Sequence, residues 1–133
     1  QAAVLDAKMD IFDDELALRQ QMADRYATLL HGIVETPRLG DGATSSWAQY
    51  TIKLPAGTDR DAVMVELRDK GVPSAIYYPV PMHRQQPYKA FPASACDLEV
   101  TRDLCERVLA LPMHPYLEPA QQQQIADAMR AAL

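Results

Sequence analysis

Residues 74–89, SAIYYPVPMHRQQPYK, gather three tyrosines, a histidine, an arginine and two adjacent glutamines around three prolines. A strand-like apolar run, Ala75-Ile76-Tyr77-Tyr78, stops at Pro79-Val80-Pro81. The polar residues beyond it keep neither the period of 2 of a strand nor the 3.6 of a helix. Tyrosine hydroxyls, the His83 imidazole and the amides of Gln85 and Gln86 can hold sugar hydroxyls and phosphate oxygens. The prolines reduce the entropy lost when such a loop is ordered on a ligand. The chemistry that fits residues 77–88 is therefore recognition, because none of them has the setting of an activated nucleophile.

Other chemistries lack their residues. No GxSxG, GxxxxGK[ST] or GxGxxG is present, which removes a nucleophile elbow, a P-loop and a dinucleotide fingerprint. The three histidines, His31, His83 and His114, are far apart, with no HxxxH or CxxC, so no metal site is expected. His31 suits the end of a helix, where a cation meets the dipole, and His114, between Met113 and Pro115, suits a turn. Asp13-Asp14-Glu15 reads as a solvated helix face and Trp47 as core or interface.

The elements around this loop can be read from periodicity. Neither Pro nor Gly occurs from Ala2 to His31, and Leu5, Met9, Phe12, Leu16, Ala23, Tyr26 and Leu30 form one seam. This predicts a continuous helix of roughly eight turns, stopped at Gly32. It is longer than the usual ~10–14 residues, so part of it should pack on something outside this chain. Residues 37–46, PRLGDGATSS, are loop by composition. The alternation of WAQYTIKL predicts a half-buried strand over 48–54 with Ala48, Tyr50, Ile52 and Leu54 inward. Thr58 and Asp61 resemble a capping box opening a helix over 59–70, with Val63 and Leu67 on its apolar row and Gly71 at its end. A strand is predicted at 74–78, an amphipathic helix from Leu98 to Val108 through Val100 and Leu104, and a short strand at 109–111. A last helix begins at Pro119 with Ile125, Met129 and Ala132 or Leu133 buried. The order gives an α+β domain, a small and largely antiparallel sheet covered by helices and preceded by the long N-terminal helix.

At 133 residues the chain suits one domain, and 48% hydrophobic with 23% charged residues is ordinary for a globular protein. Its formal charge of −5 comes with 13 dispersed Lys and Arg and no basic stripe, which argues against nucleic acid. No apolar run approaches the ~20 residues that span a bilayer. Cys96 and Cys105, nine apart, fit reduced thiols of a cytoplasmic protein. The start at Gln1, inside a helix and without Met, suggests a piece of a longer protein.

Four stretches, QAAVLDAKMDIFDDELALRQQMADRY, WAQYTIKLP, GVPSAIYYPVPMHRQQPYK and VLALPMHPYLEPAQQQQI, carry a resemblance. In wording and order they resemble the C-terminal part of the DegT/DnrJ/EryC1/StrS aminotransferases, the sugar-nucleotide branch of fold type I pyridoxal-phosphate enzymes. The YYPVPMHRQ segment is most similar to members that aminate 3-keto UDP-sugar uronic acids for surface polysaccharides such as O-antigen. The resemblance implies that residues 1–31 are the helix leaving the large cofactor domain and 37–133 the small C-terminal domain. It implies that Tyr77, Tyr78, His83 and Gln85 lie at a nucleotide-sugar site, with His83 the direct ligand. It further implies a homodimeric parent using pyridoxal 5'-phosphate, whose cofactor-binding lysine, pyridine-nitrogen partner and most phosphate contacts lie in the large domain. None of Lys8, Lys53, Lys70 or Lys89 sits in the family's lysine motif, so this piece alone is expected to be inactive. Arg84 departs from the family pattern. The other reading is a free-standing α+β module that binds a small ligand or a protein through the same loop.

Overall fold

The computed structural model describes residues 1–92 and 98–133. Its elements run α1 (Ala2–Met9), α2 (Phe12–Leu29), β1 (Tyr50–Lys53), α3 (Arg60–Asp69), α4 (Glu99–Arg107), β2 (Val108–Leu111) and α5 (Pro119–Ala132). The architecture is α+β, as the order of apolar periods predicts.

β1 and β2 pair antiparallel with Tyr50 opposite Leu111 and Lys53 opposite Val108. Single antiparallel bridges widen this ribbon on both sides, Glu35 against Lys53 and Ala75 against Ala110. Four chain segments are thus laid side by side, although only the central two are strands. Tyr50, Ile52, Leu109 and Leu111 face a core completed by Tyr26 and Leu30 of the α2 end, Val63 and Leu67 of α3, and Ile125 and Met129 of α5. α5 packs between α2 and α3. A single buried polar side chain among the described residues crosses this packing. Gln122 on α5 accepts from Arg25 Nη1 at 2.6 Å and donates to the Met22 carbonyl at 2.9 Å, clamping α5 to α2.

Five expectations change. The strand predicted over 48–54 spans only Tyr50–Lys53, and Ala48, expected inward, is exposed outside it. The predicted N-terminal helix is broken: Asp10 stays helical but Ile11 turns to φ −115°, ψ 3°, and a new helix starts at Phe12. α1 buries no residue, so no buried packing holds its axis in line with α2. An ion pair, Lys8 Nζ to Glu15 at 2.7 Å, spans the bend. The predicted strand at 74–78 shrinks to the Ala75 bridge, since Pro73 and Pro79 remove ladder donors close on either side. The cap of α3 is Asp59 rather than Thr58, its carboxylate accepting from the Ala62 amide at 3.0 Å. The apolar residues of α4 are left to solvent, Val100 at 74% and Leu104 at 38%, and the helix buries none of its residues. α5 behaves as read: Pro119 is in its first turn, Glu118 and Gln121 form a reciprocal capping box, and Ile125 and Met129 are buried.

Candidate functional site

The loop after the Ala75 bridge is short-range structure throughout. Ala75 exchanges backbone hydrogen bonds with Ala110 at 3.2 and 2.7 Å, which fixes the loop's entry to β2. Two consecutive 3-10 turns follow, Met82–Arg84 and Gln86–Tyr88, after the buried Pro81. A proline at Pro79, Pro81 and Pro87 suits such turns, because its fixed φ is close to theirs and no ladder donor is lost. Gln85, between the turns, returns its amide to the Val80 carbonyl at 3.2 Å and closes the loop on itself.

The four residues selected from sequence are close in chain but divide among three clefts. Tyr77 lines one of about 270 Å³ beside the sheet, with Gln49, Ser74, Ala110 and Met113. Tyr78 and Gln85 share a second of about 510 Å³ with Pro79, Val80, Arg84, Gln86 and Lys89. His83 is half-buried in a third, largely apolar cleft of about 400 Å³ with Met82, Tyr88, Phe91, Leu98 and Thr101. The rings of Tyr77 and Tyr78 meet edge-on, 5.9 Å between centroids, although they line different clefts.

The middle cleft contains two residues that the sequence reading did not select. Arg84 and Lys89 place two cations in its lining, and no carboxylate accompanies them among the described residues. A signal was present: from Lys70 to Cys96 the chain has no acidic residue, although it has 18 in all. Of the other histidines, His31 is exposed beyond α2, and His114 is exposed in the turn closed by the Leu117 amide on its carbonyl at 3.2 Å. Trp47 is core, with its indole N–H donating to Gln20 at 2.8 Å and its carbonyl accepting from Arg19 at 2.9 Å. Cys105 is a free thiol on α4, and Cys96 lies outside the described residues.

Pyridoxal phosphate needs an amine for its aldehyde and an acidic partner for its ring nitrogen. Lys8, Lys53 and Lys70 are each ion-paired, with Glu15, Glu35 and Glu66. Lys89 lines a cleft that offers no acid to a pyridine nitrogen among the described residues. The described residues therefore do not fit the cofactor. No described helix is long and apolar enough to cross a membrane.

Residues 1–130 match the model of the DegT/DnrJ/EryC1/StrS aminotransferase family. Among curated proteins, the chain is 37% identical over 121 residues to a UDP-2-acetamido-2-deoxy-3-oxo-D-glucuronate aminotransferase of Pseudomonas aeruginosa, covering 90% of this chain and 32% of that one. It is 39% identical over 116 residues to a UDP-N-acetyl-3-dehydro-alpha-D-glucosamine 3-aminotransferase of Acidithiobacillus ferrooxidans, covering 86% of this chain and 30% of that one. Among solved structures, a DegT DnrJ EryC1 StrS aminotransferase from Brucella abortus superposes with a TM-score of 0.92 at 41% identity, over 98% of this chain and 34% of the other. The chain thus spans about a third of the length of the relatives it matches. By its fold and by its sequence along nearly its whole length, it belongs to the DegT/DnrJ/EryC1/StrS aminotransferase family.

Proposed function

We propose that this chain is the small C-terminal domain of a pyridoxal-phosphate-dependent aminotransferase that aminates a keto sugar nucleotide, and that its contribution is recognition of that substrate. In such an enzyme the bound cofactor supplies the electron sink for moving an amino group. Its attachment belongs to the part of the protein outside this chain. The substrate class is a UDP-linked 3-keto sugar, a uronic acid among them, made for surface polysaccharide. The two relatives at 37 and 39% identity both carry names specifying a UDP-linked sugar oxidised at carbon 3. The parent is read as a cytoplasmic homodimer.

The observation that carries the recognition role is the loop itself. It exposes Tyr77 and Tyr78, at 44% and 70%, on a backbone pinned by the Ala75 bridge, two 3-10 turns and the Gln85–Val80 bond. Exposed aromatic side chains on a rigid loop at the mouths of clefts are a recognition surface rather than core. On this reading Tyr78 meets ligand in the cleft whose loop Gln85 shapes, and Tyr77 and His83 contribute from the two neighbouring clefts.

The test is His83→Ala in the complete protein. One lost hydrogen bond to a polar ligand group is worth roughly 1–3 kcal/mol. We therefore expect kcat/KM for the sugar nucleotide to fall about 5- to 150-fold while the amino-donor half-reaction is spared. A surface histidine without a role predicts changes under about twofold in both. Loss of the donor half-reaction with sugar binding intact would remove His83 from recognition.

A further inference from the structure

The cleft shared by Tyr78 and Gln85 has a charge that the proposed function leaves unexplained. Arg84 and Lys89 both line it, five residues apart across the second 3-10 turn. Neither has an ion-pair partner among the described residues. By contrast, the three other lysines are paired. Two unpaired cations on one cleft are conspicuous in a chain of net charge −5, on a stretch from Lys70 to Cys96 that has no acidic residue.

We propose that this cleft is a diphosphate subsite, in which Arg84 and Lys89 hold the two anionic phosphates between the nucleoside and the sugar. The proposal rests on the nucleotide-sugar reading above and adds the residues and the part of the ligand they take. An arginine fork can hold two oxygens of one phosphate, and a lysine supplies a mobile point charge for the next. The Gln86 amide and the Tyr78 hydroxyl line the same space and can donate to bridging or terminal oxygens. The Gln85 amide nitrogen is already committed to the Val80 carbonyl, so Gln85 shapes the loop that carries Arg84. The cleft's volume of about 510 Å³ suits a diphosphate with part of its neighbours. A lone sugar carboxylate would leave one of the two cations unmatched. Because the cleft is open to solvent, its binding should be salt-sensitive.

The experiment is calorimetric binding of UDP and of uridine to the complete protein, with Arg84→Gln, Lys89→Gln, the double variant, and Arg68→Gln on exposed α3 as the control for net charge. Arg84→Gln should weaken UDP binding about tenfold and the double variant about 30-fold or more, with uridine changing less than about twofold. Arg84→Lys should recover part of the loss, and raising salt should weaken UDP binding to the parent more than to the double variant. UDP affinity unchanged in the double variant would overturn the subsite while leaving the nucleotide-sugar reading intact. A loss seen with UDP-glucuronate but not with UDP would move these cations to the sugar carboxylate and also overturn it. A parent that binds neither UDP nor any nucleotide sugar would overturn the functional reading itself.

Discussion

Tyr26 and Tyr50 meet at the centre of the fold with ring centroids 4.9 Å apart, and Trp47 lies against Tyr50 at 5.7 Å. Their hydroxyls differ. Tyr26 donates to the Pro112 carbonyl at 2.9 Å, whereas the buried Tyr50 hydroxyl has no hydrogen bond of good geometry, although Thr36 is near enough to favour its ionised form. Burial pushes Tyr50 up to about 12 and Tyr26 higher still. Both protons are therefore held more tightly folded than unfolded, where tyrosine titrates near 10. Stability from this pair is fully present below pH 10. It is lost as pH rises toward 12, by up to about 1 kcal/mol per tyrosine per pH unit. Denaturant melts from pH 8 to 12 should show this decline, shallower in Tyr50→Phe. At pH 7 Tyr50→Phe should change stability by less than about 0.5 kcal/mol, because no bond is lost, while Tyr26→Phe should cost about 1 kcal/mol. A Tyr50→Phe cost above that of Tyr26→Phe would contradict the assignment. That these residues face inward was legible from the alternation of 48–54 and the α2 seam. Which hydroxyl finds a partner was not, because Pro112 is 86 residues from Tyr26.

At the scale of elements, legibility followed whether a partner lies within the chain. β1, β2, α3 and α5 bury the faces that their periods predict, since each meets another of these elements. α1 and α4 have the apolar residues of buried helices but expose them. The bend at Ile11 follows for the same reason, since no Pro or Gly marks it and local propensity favours a straight helix. The loop was legible as chemistry but not as geometry: residue types suggested recognition, while the division of Tyr77, Tyr78 and His83 among three clefts depends on the 3-10 turns. Gln122 shows the limit again, since a glutamine in the run Gln121–Gln124 reads as surface yet is fully buried. Gln122→Ala should cost about 1–3 kcal/mol by leaving Arg25 without its acceptor and unclamping α5 from α2. Gln123→Ala, whose exposed side chain bonds only Asp127, should stay within about 0.5 kcal/mol. Equal effects in urea melts would mean that the clamp contributes nothing.

At the scale of the whole molecule, exposed apolar residues gather in two regions of the described chain, apart from scattered ones such as Leu39, Val65 and Leu133. One is the N-terminal segment, with Val4, Leu5 and Met9 exposed by 65–68% and Ile11 and Phe12 by 41–45%. The other surrounds the loop and α4, with Met82, Phe91 and Val100 exposed by 64–74%. Single exposed apolar residues are ordinary, but contiguous groups of large ones mark surfaces that associate. α1 buries nothing and is tied to the body by the Lys8–Glu15 pair, with Tyr116 donating to the same carboxylate at 2.6 Å. Those contacts are exposed and worth little. The isolated chain should therefore self-associate through the N-terminal seam or fray there. Sedimentation should show mass rising with concentration, and Leu5→Glu with Met9→Glu should suppress it. If the chain stays monomeric instead, amides of residues 2–9 should exchange orders of magnitude faster than those of α5, because an isolated two-turn helix is marginal in water. A strict monomer with slow exchange through α1 would show that the segment is held by forces absent from the contacts described, and would sink both arms of the prediction.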